Sequence, residues 1–167
     1  MTKKINSSQL QQRLKFVGMI FCVYNKINKE KGVNDMERTL VIIKPDGLRR
    51  RLAGKIIQRF EEKGFSIIEM RQETMSRELA MEHYHHLVNR SFFPELISYM
   101  TSGPVVYIVL EGEEVIDLVR KMVGATKAAD AAPGTIRGDY AKPGTENIIH
   151  ASDSRDAAEK EIQRFFG

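Results

Sequence analysis

The chain has 167 residues, of which 42% are hydrophobic and 29% charged. This length suits a single domain, and the composition excludes both a disordered chain and a bundle of membrane helices. The formal net charge is +4, but residues 1–35 contribute seven of the 26 basic residues and two of the 22 acidic ones. Residues 36–167 therefore hold 19 basic and 20 acidic residues, so overall basicity gives no reason to expect nucleic-acid binding.

The first 35 residues lack the periodic pattern that begins at Met36. Their apolar run, residues 16–24, is shorter than the ~20 residues that cross a bilayer, and no signal cleavage site follows it, although a signal anchor is an alternative. We therefore expect residues 1–35 to be a disordered leader or to precede the true start, and residues 36–167 to form the domain. Cys22 is the only cysteine, which excludes an intrachain disulfide and favours a cytoplasmic protein without a membrane span.

Strands and helices alternate through the domain. Residues 39–43 are apolar, rich in β-branched side chains and followed by a Pro and a Gly, which predicts a first strand. Leu52, Ile56 and Phe60 recur every four residues, which predicts an amphipathic helix. Gly64 follows this stripe in the position of a C-cap.

The later elements are predicted by the same rules of periodicity, capping and turn chemistry. A strand over 65–74 is followed by a helix capped by Ser76, which carries Leu79, His83, Tyr84 and Leu87. Then come a short segment over 92–100, a strand over 105–110, a helix over 115–122, a loop over 125–147 and a strand over 148–150. The last helix is capped by Asp153 or Ser154 and has Ala158, Ile162 and Phe166 on its apolar face. A loop as long as residues 125–147 is usually functional.

His150 ends the last predicted strand and precedes a helix. A residue at the end of a strand is held rigidly beside a crevice, and open α/β folds bind ligands in such crevices. A neutral imidazole is a nucleophile near pH 7 and can carry a covalent intermediate, although a hydrogen-bonded structural role is commoner for a single histidine. Lys44, Arg120 and Arg137 supply the cations that phosphoryl transfer requires, although each alone could be a surface charge.

Five segments resemble the nucleoside diphosphate kinase family and follow the family's order along the chain. They are E-R-T-L-V-I-I-K-P-D-G at 37–47, R-S-F-F-P-E-L at 90–96, S-G-P-V-V at 102–106, P-G-T-I-R-G-D at 133–139 and N-I-I-H-A-S-D-S at 147–154. The resemblance extends from Met36 to the C-terminus and does not include residues 1–35.

The resemblance implies both a fold and a reaction. The fold is a ferredoxin-like α/β (α+β) sandwich, with a four-stranded antiparallel sheet covered by helices, and the predicted element order is compatible with it. The reaction transfers the γ-phosphate of a nucleoside triphosphate, mainly ATP, to a nucleoside diphosphate. It is a ping-pong reaction through a phosphohistidine, for which His150 occupies the matching position.

The resemblance also implies roles for individual residues. The catalytic set is His150 as nucleophile, Glu161 as the carboxylate bonded to its other ring nitrogen, Ser152 in support of Glu161, and Lys44 and Tyr84 near the reacting group. The nucleotide-binding set is Lys44 and Asn147 for the sugar and the transferring end, Arg120, Thr126 and Arg137 for the phosphates, and Phe92 and Leu96 for the base. A packed helix tyrosine is the alternative for Tyr84, and an ordinary core side chain is the alternative for Phe92.

Cofactor and partners follow from the same resemblance. Mg²⁺ is expected to arrive on the nucleotide phosphates, because the sequence shows no dedicated metal cage. His83, His85 and His86 are expected to be structural or exposed. The expected partners are nucleoside triphosphates and diphosphates together with further copies of the chain, as a hexamer or less often a tetramer, with neither nucleic acid nor membrane required.

Two alternatives remain open. One is a ferredoxin-like module that binds single-stranded nucleic acid without catalysis, but residues 36–167 are nearly neutral and their strands lack paired aromatic residues. The other is a family member that has kept the fold and lost its activity. Against it argues the joint presence of the residues expected to catalyse and bind, which are His150, Lys44, Arg120, Arg137, Asn147 and Glu161.

Overall fold

The computed structural model describes residues 36–144 and 146–167. The predictions for residues 1–35 lie outside the described residues. Within the described ranges, no helix combines the length and the apolar character needed to cross a membrane.

Four strands form one antiparallel sheet, as predicted for a ferredoxin-like fold. The strands are β1 (Met36–Ile43), β2 (Ser66–Thr74), β3 (Pro104–Glu113) and β4 (Ile149–Ala151), in the spatial order β2-β3-β1-β4. The central position of β1 follows from its sequence, because its second half is apolar at every position and Leu40 to Ile43 are fully buried. Strand β4 pairs with this half, which sets His150 opposite Ile42.

Seven helices cover the two faces of the sheet in the described part of the chain. They are α1 (Pro45–Arg49), α2 (Ala53–Glu62), α3 (Arg77–His83), α4 (Phe93–Met100), α5 (Val115–Val123), α6 (Ile136–Tyr140) and α7 (Arg155–Phe166), with 3₁₀ turns at His85–Leu87 and Ala128–Asp130. Ser76 caps α3 by accepting a hydrogen bond from the Leu79 amide. Of the two candidate caps for α7, Ser154 accepts the bond from the Ala157 amide.

Several element boundaries differ from the sequence predictions. Strands β1 and β3 are longer than predicted, and β4 spans Ile149–Ala151, so His150 lies in its middle and not at its end. Three helical elements differ as well. Helix α1 begins at Pro45, where the Pro and Gly indicated only a turn; proline is favoured in the first helical turn because it needs no amide donor there. Helix α3 ends at His83, and Leu87 lies in a separate 3₁₀ turn. The long loop contains α6, which is too short for a periodic apolar stripe to reveal it.

The core has two parts, one on each face of the sheet. Val41 and Ile43 pack with α2 and α5, whereas Leu40 and Ile42 pack with α3, α4 and α7, because successive strand side chains alternate between faces. On α7 the fully inserted aromatic ring is Phe165, and the predicted Phe166 is only partly buried.

Candidate active site

His150 lies on the short edge strand β4 with its side chain 21% exposed. Its Nε2 atom is 3.0 Å from Oε2 of Glu161, on the second turn of α7. The hydroxyl of Ser152 donates to the same oxygen at 2.6 Å. Burial favours the neutral form of Glu161, but the hydrogen bonds and charge of His150 and Ser152 outweigh it and lower the pKa of this carboxyl. Glu161 is therefore an ionised acceptor for both neighbours.

Ser152 fixes this arrangement to the sheet. It is fully buried, its amide donates to the Leu40 carbonyl at 3.1 Å, and its Oγ accepts from the Leu40 amide at 3.2 Å. The same hydroxyl joins β1, β4 and α7, because it also donates to Glu161. A side chain with one donor and two acceptor sites can hold three elements in register.

Lys44 lies directly after β1 and is 6% exposed. Its ammonium donates to Oδ1 of Asn147 at 2.7 Å, and Nδ2 of Asn147 donates to the Thr126 carbonyl at 3.3 Å. Burial and the nearby Arg137 charge lower the pKa of Lys44 to about 7, with Asp46 opposing them. The negative charge of Asp46 is therefore not enough to restore the ordinary pKa of Lys44.

Arg137 links the loop over 125–147 to strand β4 by hydrogen bonds. Its guanidinium donates to the carbonyls of Gly124 at 2.8 Å and Ile149 at 2.7 Å. Burial lowers the pKa of Arg137 to about 10, and the charge of nearby Arg120 adds to the effect. Gly124 is required where it lies, because its φ is +84° and a Cβ would lie 2.4 Å from Oγ1 of Thr135.

The remaining predicted residues occupy different environments. Arg120 and Thr126 are exposed, and so is Phe92, at 42%. Leu96 is 7% exposed and belongs to the core cluster below α4. Tyr84 is buried, its hydroxyl has no hydrogen-bond partner, and burial followed by the Glu161 charge raises its pKa. In the described ranges neither Phe92 nor Leu96 shares a hydrogen bond or ring contact with His150, whereas Lys44, Asn147, Thr126 and Arg137 form one connected group.

His83, which was expected to be structural or exposed, lies beside His150, and the sequence did not predict this contact. The two rings meet edge to face with their centroids 4.8 Å apart, and Nδ1 of His83 is 3.9 Å from Oε1 of Glu161. Burial, followed by the charge of His150, lowers the pKa of His83 to about 3, so its ring is neutral. His85 and His86 are exposed, as expected. The sequence signal for its burial was that His83 follows Leu79 at helical spacing on the predicted helix.

Asp46 and Tyr99 form a second feature that sequence reasoning missed. The Tyr99 hydroxyl donates to Oδ1 of Asp46, and both residues are buried. Burial and then this hydrogen bond raise the pKa of Tyr99. The ammonium of Lys44 is 6.0 Å from the centroid of the Tyr99 ring. The pair therefore ties α1, which follows β1, to α4.

Comparison with known proteins gives one consistent family. The sequence model described as nucleoside diphosphate kinase matches residues 37–167. A nucleoside diphosphate kinase of Acetivibrio thermocellus is 56% identical over 131 residues, which are 78% of this chain and 96% of that protein. One of Methanocaldococcus jannaschii is 52% identical over 130 residues, 78% of this chain and 93% of that protein.

Solved structures agree with the sequence comparison. The nucleoside diphosphate kinase of Halobacterium salinarum in complex with CDP matches with a TM-score of 0.77 and 47% identity, covering 79% of this chain and 88% of that one. The apo enzyme of Encephalitozoon cuniculi matches with a TM-score of 0.77 and 44% identity, covering 78% of this chain and 89% of that one. This chain therefore belongs to the nucleoside diphosphate kinase family, whose members transfer phosphoryl groups between nucleotides.

Proposed function

We propose that His150 carries the phosphoryl group as a covalent intermediate between a nucleoside triphosphate, mainly ATP, and a nucleoside diphosphate. The contact between its Nε2 atom and Glu161 is the observation that supports this role. A carboxylate only accepts hydrogen bonds, so Nε2 bears the ring proton and Nδ1 keeps its lone pair. Nδ1 is therefore the nucleophilic atom.

The transfer takes place in two displacements. In the first, the Nδ1 lone pair forms a bond to the γ-phosphorus, and the bond to the bridging oxygen breaks, so that a nucleoside diphosphate leaves. The imidazole becomes more positive as the bond forms, and ionised Glu161 stabilises that charge. In the second, a terminal phosphate oxygen of another nucleoside diphosphate attacks the same phosphorus and returns the electron pair to Nδ1.

The cations near His150 supply the charge stabilisation. We assign the phosphates to Arg120, Thr126 and Arg137, and the sugar and the transferring end to Lys44 and Asn147. A phosphate beside the buried ammonium of Lys44 favours its charged form and strengthens the interaction. We assign Tyr84 a place beside the reacting group, where its buried hydroxyl has a free hydrogen-bonding capacity.

The metal requirement fits an ion carried by the substrate. In the described part of the chain, one set of three His, Cys, Asp or Glu side chains is close enough to hold a metal: His83, His150 and Glu161. Two imidazoles do not suit Mg²⁺, which prefers six oxygen ligands. We infer that Mg²⁺ is held by the nucleotide phosphates, which Arg120, Thr126 and Arg137 grip. When bound there, the ion neutralises phosphate charge.

We propose Phe92 and Leu96 as the wall for the base. Phe92 has an exposed ring, and Leu96 lies one helical turn further along on α4. An aromatic face binds every base, because each base presents a π-face. The site should therefore accept purine and pyrimidine nucleotides with either ribose or deoxyribose.

We further propose that the chain acts as a homo-oligomer in the cytoplasm, as a hexamer or less often a tetramer. Strand β2 lies at an edge of the sheet, and it exposes Ile68 at 38% and Met70 at 55%. An edge strand with exposed apolar side chains is a ready surface for pairing with another chain. The number of subunits follows the family resemblance.

Incubation with γ-labelled ATP tests the proposed reaction. The wild-type protein should acquire a label that is stable to alkali, labile to acid and transferred to added GDP. The His150→Ala variant should acquire none. His85→Ala is the matched control, because His85 is an exposed histidine close in sequence to the site.

Two results would contradict the mechanism. Labelling of His150→Ala equal to that of the wild type would show that another residue carries the phosphoryl group. Labelled GTP formed from added GDP without any labelled protein at early times would mean direct transfer between the nucleotides. A complete lack of transfer by a folded protein would indicate a family member without activity.

A further inference from the structure

His83 is buried beside the proposed nucleophile and has no part in the proposed reaction. Its side chain is 1% exposed, and neither Nδ1 nor Nε2 has a hydrogen-bond partner. Such nitrogens are costly in a protein interior unless a ligand or partner satisfies them. An imidazole can offer a metal ion the lone pair of one ring nitrogen, and in His83 neither nitrogen is engaged by the protein.

One ring nitrogen of His83 and one of His150 lie on either side of one carboxylate. Oε2 of Glu161 is 3.0 Å from Nε2 of His150, and Oε1 is 3.9 Å from Nδ1 of His83. One ligand atom from each of the three side chains falls within 4.8 Å of the others. Two ligands of a tetrahedral zinc ion are roughly 3.4 Å apart, given metal–ligand distances of about 2.1 Å. Movements of about 1 Å would therefore bring all three atoms to one ion.

We propose that His83, His150 and Glu161 form an inhibitory binding site for a divalent transition-metal ion such as Zn²⁺. Two imidazoles and one carboxylate are a known ligand set of zinc sites, with water in the fourth position. The side chains of His150 and Glu161 are 21% and 13% exposed, so the cluster is not sealed from the solvent that would supply the fourth ligand. This ion would be distinct from the Mg²⁺ that travels with the nucleotide, because nitrogen ligands select against Mg²⁺.

The inhibitory effect follows from the tautomer of His150 and rests on its proposed role as nucleophile. Without the metal, Nε2 bears the proton and Nδ1 bears the lone pair. A metal ion bound at Nε2 uses that lone pair, so the single proton of the neutral ring must lie on Nδ1. The atom that should attack the phosphate is then protonated. Zinc would thus select the inactive tautomer without blocking the nucleotide pocket.

Cobalt spectroscopy tests metal binding without nucleotide and without activity. Co²⁺ is titrated into the full chain, and the visible absorption of low-coordinate Co²⁺ is recorded. Every protein carries Cys22→Ser, so that the only thiol cannot bind the ion. We expect one site per chain, and an affinity lower by at least about tenfold in His83→Phe and in His150→Ala. The double variant His85→Ala/His86→Ala is the control and should bind like the parent.

The same proteins are then labelled with γ-labelled ATP and excess Mg²⁺ at buffered micromolar Zn²⁺. Zinc should suppress labelling of the parent protein. His83→Phe retains a ring against His150, so it should be labelled with or without zinc.

The outcomes separate the metal site from the enzymatic mechanism. A parent protein without a cobalt site, or a His83→Phe variant with an unchanged one, would overturn the proposal. So would labelling of His83→Phe that zinc suppresses as strongly as in the parent. If nothing is labelled even without zinc, the proposed phosphohistidine fails, while the cobalt titration still decides whether the metal binds.

Discussion

Glu161 shows how one buried residue can define the chemistry of another. Its carboxylate is ionised because His150 and Ser152 both contact it, although burial alone would favour protonation. The charge is therefore available to hold the ring proton on Nε2 and to stabilise the positive charge that develops on the imidazole. Ionised glutamate supplies both effects, whereas an uncharged amide can accept a hydrogen bond from Nε2 but brings no negative charge and can also donate.

Replacement of Glu161 by Gln tests the role of this charge. We expect the rate of His150 phosphorylation to fall by about 10- to 100-fold, the loss typical when a carboxylate that orients a metal-bound histidine is removed. Quench-flow measurement with labelled ATP gives the rate. Glu159→Gln is the control, because Glu159 is exposed on the same helix. Equal phosphorylation rates in Glu161→Gln and Glu159→Gln would show that the charge of Glu161 has no role in the mechanism.

Lys44 gives a prediction about pH. Its folded pKa of about 7 lies below the ordinary value of 10.5, mainly because it is buried. Above pH 7 much of Lys44 is therefore neutral in the free protein, and an arriving phosphate raises its pKa. Nucleotide binding at pH 8 should take up a proton. Calorimetry in two buffers of different ionisation enthalpy measures this uptake.

Lys44→Arg is the matched variant for this experiment. Arginine stays protonated throughout this range of pH, so the uptake should disappear even if binding persists. Undiminished uptake in Lys44→Arg would assign the proton to another group.

At the scale of elements, β4 is too short to hold its place by sheet pairing alone. It pairs with β1 over three residues, Ile149–Ala151. Two side chains supply further attachment: Arg137 donates to the Ile149 carbonyl, and Ser152 bonds both Leu40 and Glu161. The position of His150 thus depends on a loop, a neighbouring strand and a helix together.

Ser152→Ala should expose the energetic contribution of this attachment. The Leu40 amide and Glu161 each lose a buried partner, so we expect the free energy of unfolding to fall by about 1–3 kcal/mol. Urea denaturation measures it. Ser98→Ala, at an exposed position of α4, should change it by less than about 0.5 kcal/mol. A loss no larger than the control's would show that Ser152 does not fasten the strand.

At the scale of the whole molecule, the two halves of the core are built from opposite faces of one sheet. The proposed site lies at the end of strand β1 and beside the short edge strand β4. The other edge, β2, is free for pairing and exposes Ile68 and Met70. Assembly through β2 would leave β4 and its histidine unobstructed, because the two edges lie on opposite sides of the sheet.

Met70→Lys tests the proposed assembly through β2. A charge on an edge strand opposes pairing with a second chain, so the variant should form smaller species than the wild type while its circular dichroism is unchanged. Light scattering after size exclusion gives the masses. Met81→Lys is the control, because Met81 is similarly exposed, at 44%, but lies on α3. A monomeric wild type, or the same mass for both variants, would contradict assembly through this edge.

The sequence pattern by itself determined the order of the strands along the chain, most helices and the position of His150 on the last strand, whereas the antiparallel sheet was implied by the family resemblance. These features depend on local causes: apolar periods of two or 3.6 residues, caps such as Ser76, and turns made by Pro and Gly. The resemblance added expected roles for Glu161, Ser152 and Lys44, and the structure brings Glu161 and Ser152 to His150 and Lys44 to Asn147.

Only the tertiary structure decided which distant side chains meet. Ser152 and Leu40 are 112 positions apart and Tyr99 and Asp46 are 53 apart, and no local pattern relates such positions. The angle at which helices pack on the sheet likewise decides that Phe165 is buried and Phe166 only partly so, and that His83 is buried. Local chemistry therefore specified the elements, whereas close packing specified the neighbours of His150 and with them its tautomer.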